Sequence, residues 1–260
     1  MVGSRTEAAL AIRSGRVTVA GRPASTAATL VAPEEAIALA ERPRRFASRG
    51  GEKLDAALDR FGVDVDGCRC LDAGASTGGF TDCLLSRRAG HVVAVDVAYG
   101  QLHWRLREDP RVTVVERTNV RDLDPAALPY GADVVTADLS FISLALVVPA
   151  LVRCSSDAGT FVLLVKPQFE APRGSAGPGG VVSDPEAWRT SVERVAAAAR
   201  RAGAEPTDVT ASPILGPAGN AEFFLLARRG ATSVDLGPIL DRAIDEARRL
   251  TTSERRASDG

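Results

Sequence analysis

Lysine is almost missing from this chain of 260 residues. Of its 32 basic positions only Lys53 and Lys166 are lysine, and the rest are arginine. Histidine occurs twice, at His91 and His103, too few for a histidine-based metal site, and none is expected. The four cysteines, Cys68, Cys70, Cys83 and Cys154, make no Cys-x-x-Cys pair and no zinc spacing. Thiols without a paired framework suit a reducing, cytoplasmic compartment. Long apolar runs are also lacking. The longest, Leu144 to Val152, is too short to span a bilayer and contains Pro149. No signal peptide is visible, and there are no internal repeats or low-complexity tracts. Neither a Gly-Lys-Ser/Thr phosphate loop nor the Gly-x-Gly-x-x-Gly dinucleotide fingerprint appears.

What is present is a glycine turn. Cys70-Leu71-Asp72-Ala73 is a short apolar strand, and Gly74-Ala75-Ser76-Thr77-Gly78-Gly79-Phe80 runs from it into a helix. Glycines there let the backbone approach a ligand, and the first helical N–H groups face the turn as free donors. Asp96 ends the next apolar run, 22 positions after Gly74, where an acid can accept both hydroxyls of a ribose. The pattern predicts a nucleoside site at the carboxyl ends of parallel strands. Asp-x-Gly-x-x-x-Gly-Gly-Phe is similar to the first motif of S-adenosylmethionine (SAM) methyltransferases. That likeness implies cofactor contacts from Asp72, Gly74, Ala75, Ser76, Thr77, Gly78, Gly79 and Phe80, with Asp96 on the ribose.

Hydrophobic content of 45% and charged content of 25% support a folded core, and the length suits one α/β domain with a small appendage. Residues 1–40 read as a partial RNA-binding module. Its helix is capped by Ser4 with Glu7 in the capping-box position, ends at Gly15, and leads to a strand Val17-Thr18-Val19 that turns at Gly21-Arg22. This stretch resembles the alpha-L motif of ribosomal S4-like domains, shortened at its start. Residues 41–47 form a linker broken by Pro43, and a methyltransferase domain is expected over 48–250, with a flexible tail at 251–260. Within the domain, strands near 68–73, 91–96, 112–116, 133–138 and 159–166 alternate with helices near 78–89, 99–107, 142–154 and 185–203. Two last strands, near 207–212 and 221–228, lack a helix between them and predict an antiparallel hairpin at the sheet edge. The fold class is α/β, a Rossmann-like, mostly parallel sheet with an antiparallel final strand. A final helix is expected over 235–250, and the Gly/Pro-rich stretch 171–182 is a candidate lid.

Net charge is only −1, yet arginines cluster. Arg5, Arg13 and Arg16 in the module and Arg44, Arg45 and Arg49 around the linker are candidate RNA contacts. The lysines stand apart from this pattern. Lysine can lose its proton when crowded or desolvated, whereas arginine in effect cannot. Lys53 opens a helix where the dipole disfavours a cation, Lys166 ends the apolar strand Phe161–Val165, and Asp138 ends a neighbouring strand.

Five stretches together resemble the TlyA family, the haemolysin-like rRNA cytidine 2′-O-methyltransferases of the FtsJ-like group. They are Ser-Arg-Gly-Gly-Glu-Lys-Leu, Leu-Asp-Ala-Gly-Ala-Ser-Thr-Gly-Gly-Phe, Ala-Asp-Leu-Ser-Phe-Ile-Ser-Leu, Val-Lys-Pro-Gln-Phe-Glu and Gly-Pro-x-Gly-Asn-x-Glu-Phe-Phe. The resemblance implies a catalytic Lys-Asp-Lys-Glu tetrad at Lys53, Asp138, Lys166 and Glu222, with Asn119 at the adenine edge. It implies SAM as cofactor, ribosomal RNA or ribosomal subunits as partner, and no membrane. Lys166 would be the base or hydroxyl orienter. Two other readings carry their own requirements. A membrane-lysing protein needs a span or a strongly amphipathic apolar helix, and a non-catalytic ribosome-binding factor needs no intact tetrad.

Overall fold

The computed structural model describes residues 5–40, 45–172 and 174–258, which fall into two compact units, 1–44 with 253–260, and 45–252. In the first, α1 (Arg5–Arg13) precedes β1 (Val17–Val19), β2 (Arg22–Pro23) and β3 (Ile37–Leu39), a small antiparallel sheet ordered β2-β1-β3. The three-residue strand β3 is not among the sequence expectations, although Pro33 marks a turn shortly before it. The Ser4 cap lies outside the described residues.

The second unit is the expected α/β sheet. Its elements are α2 (Arg49–Phe61), β4 (Arg69–Ala73), α3 (Gly79–Ser86), β5 (His91–Val95), α4 (Trp104–Arg107), β6 (Val112–Val115), β7 (Ala132–Ala137), α5 (Leu144–Arg153), β8 (Ser155–Val165), α6 (Pro167–Glu170), α7 (Pro185–Ala202), β9 (Ala204–Ala211), β10 (Phe223–Arg229) and, as far as Thr252, α8 (Gly237–Ser258). Seven strands run in the order β6-β5-β4-β7-β8-β10-β9. The first five are parallel, and β10 lies antiparallel between β8 and β9.

The period-2 alternation of the strands divides the core between the two faces. Leu163, Val165, Phe223 and Leu225 pack with Val147 and Leu151 of α5 and with Val192 and Val195 of α7. Val162, Leu164, Phe224 and Leu226 pack with Leu54 and Leu58 of α2 and with Phe80 and Leu84 of α3. Ser48 caps α2, accepting the Gly50 N–H at 3.2 Å, and Gly62 closes it in the left-handed conformation.

Two expectations change. The helix expected over 99–107 begins only at Trp104, because side chains fold the stretch before it. Asp96 accepts the Ala98 N–H, Glu116 accepts the Gly100 N–H, and Gly100 has φ +71°. The expected flexible tail at 251–260 is helical as far as Ser258. The Thr251 and Thr252 hydroxyls donate to the carbonyls of Ala247 and Arg248, so polar side chains there do not break the helix. No helix among the described residues is long and apolar enough to cross a membrane.

Candidate active site

Strand order reverses between β4 and β7, and open α/β sheets bind ligands outside the carboxyl ends at such a point. A cavity of about 490 Å³ lies there, lined by Gly74, Ser76, Asp96, Asn119, Asp138 and Phe141 among others. The two strand ends are stitched together below it: the Asp138 N–H donates to the Ala73 carbonyl at 3.0 Å. Gly74 has φ +87°, and a Cβ on it would sit 2.5 Å from the Asp138 carbonyl oxygen. Only glycine lets the β4 and β7 ends approach this closely beside the cavity.

Asp96 organises the far side. Its Oδ2 accepts the Ser76 N–H at 2.7 Å and its Oδ1 accepts the Ala98 N–H at 2.7 Å. Each oxygen keeps acceptor capacity for a ribose hydroxyl. Asn119 also lines the cavity, and its Oδ1 accepts the Arg121 N–H at 3.1 Å. Ala75 lines a small adjoining recess with Ser76 and Gln101.

Other turn residues named from the sequence do not line this cavity. Asp72 is fully buried below the turn, where it accepts the Thr81 hydroxyl at 2.7 Å and the Thr136 hydroxyl at 3.4 Å. It ties β4 to α3 and β7. Burial pushes its carboxyl up to about 7, against the lowering effect of the Thr81 bond. Gly78 and Gly79 serve packing: a Cβ would collide with Leu106 on Gly78 and with the Ser48 hydroxyl on Gly79. Phe80 is buried and stacks on Phe224 at 6.2 Å. Thr77 is exposed, and its carbonyl accepts the His103 N–H at 3.2 Å.

Each lysine has its own carboxylate. Lys53 Nζ lies 2.5 Å from Glu222 Oε2, with only 8% and 1% of the two side chains exposed. This pair joins α2 to the start of β10, and Glu222 answers the misplaced charge at the helix start. Gly216 sits against Glu222 Oε1, where a Cβ would approach to 2.6 Å. Lys166 Nζ pairs with Asp138 Oδ1 and donates to the Ser140 hydroxyl at 3.2 Å. Asp138 and Ser140 line the cavity, and Lys166 stands behind them; Lys53, Glu222 and Lys166 itself do not line it. Burial pushes the thiols of Cys70, Cys83 and Cys154 upward, so none is a ready nucleophile.

Sequence reasoning missed Phe141 and Glu170. Phe141 is 92% exposed at the cavity, has φ +64°, and tilts against Phe169 with centroids 5.3 Å apart. Nothing in the residue type signals left-handed backbone at a phenylalanine. Glu170 is buried to 2%, a property that only the fold confers. Among the candidate RNA contacts, Arg5 and Arg13 are exposed on α1 and Arg49 is exposed on α2. Arg16 spends donors on Ser14 and the Ala40 carbonyl, and Arg45 pairs with Asp55. Arg44 lies outside the described residues.

A doubly wound sheet with an antiparallel β10, a glycine-walled cavity and an acid on the second strand defines the methyltransferase class of fold. The model of the FtsJ-like methyltransferase family matches residues 46–229, and the chain belongs to that family. Over 248 residues it is 51% identical to the 16S/23S rRNA (cytidine-2′-O)-methyltransferase TlyA of Mycobacterium tuberculosis, covering 94% of this chain and 92% of that protein. It is 36% identical to Hemolysin A of Brachyspira hyodysenteriae over 85% of this chain and 92% of the relative. The solved structure of a putative hemolysin from Streptococcus thermophilus superposes with a TM-score of 0.79 at 34% identity, covering 98% of this chain and 94% of that one.

Proposed function

We propose that this protein transfers a methyl group from S-adenosyl-L-methionine to the 2′-hydroxyl of cytidine in ribosomal RNA. The similarity to a protein named for that reaction, over nearly the whole chain, supports the substrate. The observation that carries the chemistry is the Lys166–Asp138 pair at the wall of a nucleoside-sized cavity.

The cavity fits the cofactor. Gly74 lines it without a side chain, Asp96 has acceptor capacity for two ribose hydroxyls, and Asn119 offers an amide to an adenine edge. Bound there, SAM supplies an already activated methyl group. The protein then has to align an oxygen and dispose of its proton. Lys166 is assigned to the acceptor 2′-hydroxyl, orienting it and, when unprotonated, taking its proton. Asp138 and Ser140 hold the amine at the cavity wall. The buried Lys53–Glu222 pair fixes α2 against β10 behind the site. The exposed face of Phe141 suits the base of the acceptor nucleotide, since aromatic faces stack unpaired bases. The N-terminal unit, with Arg5 and Arg13 exposed, is assigned to RNA affinity, and a substrate in the ribosome sets the work in the cytoplasm.

The test is to map 2′-O-methyl cytidines in rRNA from cells that carry wild type, Lys166→Arg or no protein. A modification present only with wild type supports the reading. Identical maps in all three would end it.

A further inference from the structure

The carboxyl ends of β7 and β8 lead into two short segments, residues 138–143 and 166–170. The first carries Asp138, Ser140 and Phe141, and the second carries Lys166. They are joined at three levels. Lys166 reaches Asp138 and Ser140. Phe169 lies against Phe141. At the third level Glu170 Oε2 accepts the Ser143 hydroxyl at 2.6 Å, and Oε1 accepts the Leu144 N–H.

The third level is unusual. Ser143 stands at the N-cap of α5 yet makes no side-chain cap bond of its own; its hydroxyl is donated to Glu170. The capping acceptor for α5 therefore comes from a residue 26 positions further along the chain, through the Leu144 N–H. A carboxylate at a helix N-terminus is favoured by free N–H donors and by the dipole. The main chain of Glu170 is fixed in turn, since Arg194 on α7 donates to its carbonyl at 3.0 Å. Glu170 itself is buried and does not line the cavity. Between the two fixed ends of the first segment sits Phe141, with its positive φ. A strained residue holds such a conformation only when its surroundings over-determine it. Lys166 pins the segment upstream of Phe141, and Glu170 pins it downstream.

We infer that Glu170 is a positioning residue for methyl transfer: through Ser143 and Leu144 it sets the 138–143 segment, and with it Ser140 and Phe141, in register with Lys166. The inference rests on the assignment of Lys166 and Asp138 above. Glutamine has the shape of glutamate but no charge, and its N–H₂ meets the Ser143 hydroxyl as a donor, so Glu170→Gln replaces two charge-assisted bonds at the start of α5 with neutral ones and reverses one of them. Ser143→Ala removes the hydroxyl bond and leaves the capping of Leu144 intact.

The test is single-turnover methyl transfer to rRNA by the full chain, with SAM affinity by calorimetry and thermal unfolding measured on the same samples. Glu170→Gln is expected to slow transfer at saturating RNA tenfold or more, with SAM affinity within threefold and an unfolding midpoint within a few degrees of wild type. Ser143→Ala is expected to slow it at least threefold under the same conditions. Transfer within twofold of wild type in Glu170→Gln overturns the inference. So does a parallel loss of transfer, SAM affinity and stability, which a merely structural carboxylate would give. If Glu170→Gln does not fold, Ser143→Ala decides alone, with transfer within 1.5-fold of wild type as the contrary result. Lys166→Arg run alongside separates the two readings. If it is active, the site assignment fails. If it is inactive while both other variants turn over normally, only the role of Glu170 falls.

Discussion

At the scale of single residues, the two lysines divide by their partners, since neither lines the cavity itself. Lys166 sits beside it through Asp138 and Ser140, and Lys53 is buried on Glu222. Lys166→Arg keeps the charge but gives up basicity in a useful range. Loss of a general base costs roughly 10²–10⁴ in rate, so transfer is expected to fall at least hundredfold with SAM affinity near wild type. A rate within a few-fold would leave Lys166 only its charge. Asp96→Ala removes acceptors for the ribose and for two backbone N–H groups. Hydrogen bonds to a charged group are worth about 1.5–3 kcal/mol each, so calorimetry is expected to show SAM affinity at least tenfold weaker. Asp72 makes a pH prediction. Burial raises its folded value from the ordinary carboxylate range to about 7. The folded state therefore binds the proton more tightly, and stability from this group is fully present below about pH 4 and lost as pH rises towards 7. Asp72→Asn does not ionise. Its stability relative to wild type, from urea unfolding, is expected to be higher at pH 8 than at pH 5, and equal differences at both would contradict the raised value.

At the scale of elements, the strands and helices were legible wherever period decides. Phe161–Val165 is apolar throughout because both faces of β8 are covered, and Leu54, Leu58 and Phe61 mark the buried stripe of α2. The glycine turn was legible as a site, but not which residue does what. Gly74 admits the Asp138 carbonyl and Leu139 beside the cavity, whereas Gly78 admits Leu106 of α4 and Gly79 admits Ser48 at the start of α2; in sequence the need for a missing Cβ reads the same whichever neighbour fills the space. Asp72 read as a ligand contact, and the tie it makes between β4, α3 and β7 was not legible, since its threonine partners are 9 and 64 residues away. The pairing of each lysine with its carboxylate was likewise beyond the sequence: Lys53 and Glu222 are 169 residues apart, and only the placement of β10 beside β8 joins them. Gly74→Ala tests the contact between strand ends. Its Cβ would press on the Asp138 carbonyl and on Leu139, and overpacking of this kind costs about 1–3 kcal/mol. Thermal unfolding is expected to show that loss, and calorimetry a weaker SAM affinity, because the same wall bounds the cavity. An unchanged midpoint would mean that the β4 and β7 ends separate freely.

At the scale of the whole molecule, the chemistry and the RNA affinity are assigned to different units. The cavity and both lysine–carboxylate pairs belong to residues 45–252. The other unit carries Arg5, Arg13 and Arg22, all exposed, with none of the cavity residues. Net charge of −1 cannot draw a polyanion to the molecule as a whole, so local clusters have to do it. Arginine contacts to phosphate release counterions, and each lowers the slope of log affinity against log salt by roughly 0.7–0.9. Replacing Arg5, Arg13 and Arg22 together with glutamine spares Arg16, which holds the Ala40 carbonyl. If all three meet phosphates, the salt slope is expected to become shallower by about 2–3. KM for RNA rises, while SAM affinity and transfer at saturating RNA stay at the wild-type level. A loss of transfer at saturation would move part of the chemistry into this unit. An unchanged KM and slope would make its arginines a solvated surface and leave Arg49, at the start of α2, as the next phosphate contact to test.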